Sequence, residues 1–186
     1  MYYLGNKNLL KEKKKIAVVG SREMSAYGKK MIEKFVPELV KKGFVIVSGM
    51  AFGVDAWVHK IALDSGGYTI AVLGGGVDRP TPYGNKWIYD RILSENGLIM
   101  SKFRNGTIPR PVNFLQRNEI VVDLVSKVLV IEGDNHSGAL VTAKIACDKG
   151  KDVYCIPGRI GDINSFTPNF LIKNGAEIVM EGSDII

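Results

Sequence analysis

Seven short apolar runs, at residues 16–19, 44–47, 69–73, 98–100, 127–132, 152–156 and 176–180, alternate along the chain with segments of helical period. The runs are β-branched and aliphatic with few interruptions. They are too short for helices, and strands covered on both faces of a parallel sheet have this composition. Helical patterns fall at about 25–42, 54–65, 85–96, 114–125 and 138–149. Strand and helix in alternation specify right-handed crossovers, so the expected fold is a doubly wound, mainly parallel, three-layer α/β/α domain of Rossmann-like type. The 186 residues suffice for one such domain, since a chain of this length buries most of its surface around a single core. We assign it to residues 16–186, behind a basic lead-in at 1–15.

Glycine punctuates the helices. Gly43, Gly66, Gly97 and Gly150 each follow a helical pattern and precede a strand, where a left-handed cap is expected. Pro37 inside the first helical pattern should kink it or remove a hydrogen bond. Residues 157–169 lack a period and read as a loop leading to a short helix at 169–173.

The net charge of +6 suggests an acidic partner, but five lysines and Glu12 within residues 1–15 supply +4 of it. The lead-in therefore reads as a solvated, partly disordered segment, and any anion site in the body must be local. No apolar run is long enough to span a bilayer and the first residues lack a signal-peptide core, so no membrane association and a cytoplasmic location are expected. Cys147 and Cys155 fall in a helical and a strand pattern and are expected as buried, reduced thiols. With only His59 and His136 besides, neither a metal site nor a cofactor is expected.

In an open parallel sheet, ligands bind outside the carboxyl ends of the strands, where helix N-termini present free N–H groups. Four of those ends are small and polar here: Gly20-Ser21-Arg22, Ser48-Gly49-Met50-Ala51-Phe52-Gly53, Gly74-Gly75-Gly76 and Gly133 to Gly138. One such turn only closes a bend; four on one edge favour a backbone-lined anion crevice. Neither the G-x-G-x-x-G fingerprint nor a G-x-x-x-x-G-K-[ST] loop is present, which disfavours a dinucleotide oxidoreductase or an ATPase. Arg22 is placed for a bidentate phosphate contact beside Gly20 and Ser21. Ser137, at a helix start with Gly138, combines the roles of cap and phosphate ligand. Asp55 and His59, four apart, are expected as a surface pair on a helix rather than an acid–base couple. Arg110 to Glu119 sets Arg110, Gln116, Arg117 and Asn118 around Phe114, the makings of a base-stacking platform with backbone clamps. Trp57 and Trp87 are expected to pack. No catalytic residue is assigned.

Taken in order, Val-Val-Gly-Ser-Arg (18–22), Ser-Gly-Met-Ala-x-Gly-Val-Asp (48–55), Thr-Ile-Ala-Val-Leu-Gly-x-Gly-x-Asp (69–78), Phe-Leu-Gln-Arg-Asn (114–118), Ser-Gly-Ala-Leu-Val-Thr-Ala (137–143) and Ile-Pro-Gly (156–158) resemble the DNA-processing protein A family, DprA or Smf. The resemblance implies a Rossmann-like domain that binds and protects single-stranded DNA, forms a homodimer and helps load the recombinase RecA in transformation, without catalysis. It implies strand-contacting roles for Gly20, Ser21, Arg22, Phe114, Arg117 and Asn118, beside which the small strand-end residues Ser48, Gly49, Ala51, Gly53, Gly74 and Gly75 are expected to line the same crevice. Relatives often carry arginine where Glu119 and Phe52 stand, so weaker binding than in a fully basic relative is expected. Two alternatives share the superfamily fold. One is a nucleotide-binding sensor. The other is a phosphoribohydrolase-like enzyme, whose glutamate-bearing motif has no counterpart in residues 136–143.

Overall fold

The structure, a computed structural model described here over residues 1–185, contains one eight-stranded sheet flanked by helices on both faces. In chain order the elements are β1 (Tyr2–Gly5), β2 (Lys15–Val19), α1 (Ala26–Lys41), β3 (Val45–Ser48), α2 (Val54–Asp64), β4 (Thr69–Val72), α3 (Lys86–Ser94), β5 (Leu98–Ser101), α4 (Pro111–Asp123), β6 (Lys127–Val130), α5 (Gly138–Asp148), β7 (Asp152–Cys155), α6 (Phe166–Lys173) and β8 (Glu177–Ile178). The strands lie in the order β1-β5-β4-β3-β2-β6-β7-β8. All pairings are parallel except β1 with β5. The chain winds outward from β2 to β5 and then returns to place β6 beside β2, so the winding reverses between those two strands.

The continuous apolar runs serve both faces. Along β2, Ala17 and Val19 join a core with Val121 and Val122 of α4 and Ala143 and Ala146 of α5. Ile16 and Val18 join the opposite core, with Ile32 and Phe35 of α1 and Val54 and Val58 of α2. Side chains alternate across a strand, so each residue of a doubly covered strand must be apolar for one layer or the other. Ile88 and Ile92 of α3 pack with Ala71, Leu73 and Ile99 in a third cluster.

The N-terminal segment departs from expectation. Tyr2–Gly5 is an antiparallel edge strand, with Tyr2 opposite Ser101 and Gly5 opposite Leu98, and Leu9 in the following 3-10 turn is buried. The lysine count obscured the short apolar run Tyr2-Tyr3-Leu4; Lys7, Lys11, Lys13 and Lys14 remain exposed outside the sheet. At the glycine caps, Gly43, Gly66 and Gly150 take the left-handed conformation, but at the third helix Asn96 takes it, with φ 61°, and Gly97 does not. Asparagine tolerates that region through its short polar side chain. Gly97 instead answers to crowding, since a Cβ there would stand 2.7 Å from the Ile92 side chain.

Helix α4 begins at Pro111, three residues before the helical pattern, because proline at the first helical position has a suitable φ and no N–H to orphan. Helix α6 likewise starts early, at Phe166, and α1 runs across Pro37 to Lys41. Trp87 is 42% exposed rather than packed, and Cys147 is exposed while Cys155 is buried. No helix among the described residues is long and apolar enough to cross a membrane.

Candidate functional site

Where the winding reverses, the chain cannot cover the strand ends on both sides, and a cleft opens there. Its volume is about 550 Å³, and it is walled by the Gly20-Ser21-Arg22 turn, by Phe114, Arg117 and Asn118 of α4, and by Ser137 and Gly138 at the start of α5. A smaller apolar pocket of about 140 Å³ adjoins it, between Met50, Phe52, Leu73, Gly74 and Pro82. Arg22, Phe114 and Arg117 line both.

The first turn is shaped by packing. A Cβ on Gly20 would lie 2.6 Å from Val54 of α2, so only glycine lets the turn approach that helix. Gly53 has φ 74°, and a side chain there would run into the carbonyls of Ser21 and Arg22. The Val54 N–H donates to the Ser21 carbonyl at 3.0 Å. The Ser21 hydroxyl accepts from the Glu23 N–H at 3.0 Å. Arg22 is exposed, and its guanidinium stands 5.5 Å from the centroid of the half-buried Phe114 ring. That ring rests on Gly74, where a Cβ would stand 3.1 Å from it. The Asn113 amide donates to the Gly74 carbonyl at 2.9 Å and fixes the start of α4 over this turn. On the other wall, the Ser137 hydroxyl accepts from the Ala139 N–H at 3.1 Å, the expected cap. With the first-turn amides of α5 facing the cleft and Arg22 opposite, the geometry suits an anion next to a ring that can stack.

Arg117 is not where a surface phosphate contact would be. It is 8% exposed, lies over Gly49, whose Cβ would overlap its guanidinium, and pairs with Asp55 at 3.3 Å. Its Nε has no partner. Asp55 also accepts from the Ala51 N–H at 3.3 Å, so the pair ties α4 to the turn after β3. His59, expected on the surface with Asp55, is fully buried. Its Nε2 lies 2.6 Å from the Gly49 carbonyl and its Nδ1 2.6 Å from the Thr69 hydroxyl. A carbonyl only accepts, so Nε2 carries the ring proton. Burial pulls the His59 pKa below its ordinary 6.5, the Gly49 carbonyl and Asp55 oppose that, and Arg117 adds to it.

Two other expected residues point elsewhere. Ser48 is fully buried and donates to the Val18 carbonyl at 2.7 Å. Gly75 is covered by Thr107 and Pro109. Arg110 is exposed at the cap of α4 beyond the cleft, and Gln116 is half-buried on that helix. The sequence reading missed Asn85, whose amide donates to the carbonyls of Met50 and Ala51 at 2.9 Å each. It also missed Glu132, whose carboxylate accepts from the Ser25 N–H at 2.8 Å and hydroxyl at 2.6 Å at the start of α1. Neither carries a sequence signal, because each partner is distant in the chain.

A doubly wound α/β domain with helix-start amides, an arginine and an aromatic ring lining a cleft at its switch point is a Rossmann-like protein. The whole chain, residues 1–186, matches the model of the DNA recombination-mediator protein A family, and it belongs to that family. It is 41% identical over its full length to 65% of DNA processing protein DprA of Streptococcus pneumoniae. To Protein Smf of Escherichia coli it is 40% identical, over 92% of this chain and 46% of that one. The chain thus spans less than two thirds of the length of these curated relatives. It superposes on the S. pneumoniae structure with a TM-score of 0.92, over 98% of this chain and 64% of that one. It superposes also on DNA processing protein A of Helicobacter pylori, a structure described for its single-stranded DNA binding mode. There the TM-score is 0.90 at 30% identity, over 99% of this chain and 83% of that one.

Proposed function

We propose that this chain binds single-stranded DNA without strong sequence preference, as a non-catalytic mediator. The observation that carries this reading is the Arg22–Phe114 pair at the boundary between the polar cleft and the apolar pocket. A nucleotide pairs a charged phosphate with an apolar, stackable base, and this boundary offers one environment for each. The H. pylori relative's described binding mode supports the same ligand class. Two of the cleft carboxylates are engaged within the protein, which supports a binding rather than a catalytic role: Asp55 pairs with Arg117, and Asp134 accepts from the His136 N–H at 2.8 Å. From membership of the family we further propose protection of the strand, self-association and delivery to RecA.

The test is fluorescence anisotropy with single-stranded oligonucleotides over a salt series. Arg22→Ala should weaken binding for all sequences and reduce the log–log salt slope by about 0.7, one phosphate contact's share. Equal affinity in Arg22→Ala and wild type overturns the site. RecA delivery is tested by the lag before RecA filaments form on strands coated with a single-strand-binding protein; no shortening of that lag overturns it.

A further inference from the structure

The loops around the cleft are charged unequally on its two sides. Beyond β6 and β7 lie Asp134 and Asp162, with Glu23 facing them and Arg159 as the one basic residue of the 156–165 loop. Beyond β4 and β5 lie Arg79, Lys102, Arg104 and Arg110, all exposed, against a single carboxylate, Asp78. None of these four cations has a carboxylate within 4 Å among the described residues. Asp78 is itself engaged, accepting twice from the Gly106 N–H at 2.8 and 2.9 Å. Together with the Gly76 N–H donating to the Thr107 carbonyl at 3.0 Å, this clasps the β4 loop to the β5 loop. The cations therefore stand on one joined platform. Four cations without carboxylate partners on one platform give it a positive potential that draws an anionic ligand.

The platform is continuous with the cleft and carries aromatic surface. Phe52, 51% exposed, lines the small pocket with Phe114, and a Cβ on Gly84 would stand 2.9 Å from its ring. Tyr83, next to Gly84, is 75% exposed. Exposed aromatic faces and unpaired cations on the neighbouring loops after β3, β4 and β5 suit the alternating bases and phosphates of an extended single strand. The geometry points to a strand that leaves the cleft on the β4–β5 side, over Phe52 and Tyr83, with its phosphates on Arg79 and Arg104. The acidic loops after β6 and β7 repel it from the other side. The inference rests on the single-strand reading of the cleft.

The test compares two oligothymidylates, one of about five nucleotides that fills the cleft alone and one of about twenty that reaches the platform. Arg79→Ala/Arg104→Ala should bind the short strand as the wild type does. On the long strand its log–log salt slope should fall by about 1.4, the share of two phosphates. Tyr83→Ala should weaken only the long-strand complex. Both side chains of the double variant are exposed and make no hydrogen bond among the described residues, so folding is not at stake. An unchanged long-strand slope in the double variant, with Arg22→Ala still defective, overturns the extension and leaves the cleft reading intact. If Arg22→Ala binds both strands as the wild type does, the cleft reading fails and the extension with it.

Discussion

The Asp55–Arg117 pair is the feature whose removal has the most calculable consequence. Both side chains are 9% exposed, the contact is a single bond of 3.3 Å, and Arg117 Nε is already without a partner. Asp55→Ala leaves a buried guanidinium with no counter-charge, which destabilises by about 3–5 kcal/mol in comparable pairs. For a chain of this size each kcal/mol is worth about 2–4 °C, so the midpoint of thermal unfolding should fall by about 6–20 °C. Removing both charges behaves differently. Asp55→Ala/Arg117→Met leaves an apolar side chain over Gly49 and should recover much of the loss, because the desolvation of the charge disappears along with its partner. Chemical unfolding of wild type, the two single variants and the double variant closes the cycle. If Asp55→Ala lies within 1 kcal/mol of wild type, or if the double variant is less stable than Asp55→Ala, Arg117 is not the buried, singly paired charge described above. The salt series gives an independent reading: a buried Arg117 that only positions α4 weakens DNA binding when replaced, yet leaves the salt slope as it was.

Other outcomes follow from the same geometry. Since His59 is held below 6.5 in the folded state, the unfolded chain binds the extra proton first as pH falls, so stability drops below about pH 6.5. His59→Gln should flatten that part of the stability–pH curve, and an unchanged curve would refute the assignment. Burial pushes the Cys155 thiol up to about 12, whereas Cys147 is exposed, so a thiol reagent at neutral pH should titrate one fast cysteine in the native protein. Phe114→Ala should reduce single-strand affinity by about 1–3 kcal/mol through lost stacking. Gly43→Ala meets open space and should cost about 1–2 kcal/mol for its left-handed φ alone. Gly53→Ala drives a methyl into two carbonyls, so it should be the worse of the pair on unfolding and should also weaken DNA binding.

The strands could be read because their signal is local. A doubly covered strand is apolar at almost every position, and glycine is favoured where the chain turns left at a helix end, so β2 through β8 and three of four caps were visible in the sequence. The edge strand was not visible, because Tyr2–Gly5 is stabilised by hydrogen bonds to β5, some ninety positions away, and its own lysine-rich surroundings say only that the segment is solvated. Gly97 misled for a related reason: its neighbour Asn96 could take the same backbone conformation, and the glycine was needed for the approach of Ile92.

The site divides in the same way. The residue types suited to a phosphate and a stacked base, Gly20-Ser21-Arg22 and Phe114 among them, stood out in the sequence because they follow strand ends or open a helix. Which of them face the cleft depended on contacts between segments far apart in the chain. Arg22 and Arg117 are equally basic as text. Packing of α4 against the turn after β3 buries Arg117 under Asp55 and leaves Arg22 free over Phe114. The sequence by itself determined a doubly wound sheet with small, polar turns at one edge, because period and turn chemistry are local. Only the tertiary structure decided which arginine is exposed at the cleft and which is buried as a strut, because burial is a property of the assembled layers.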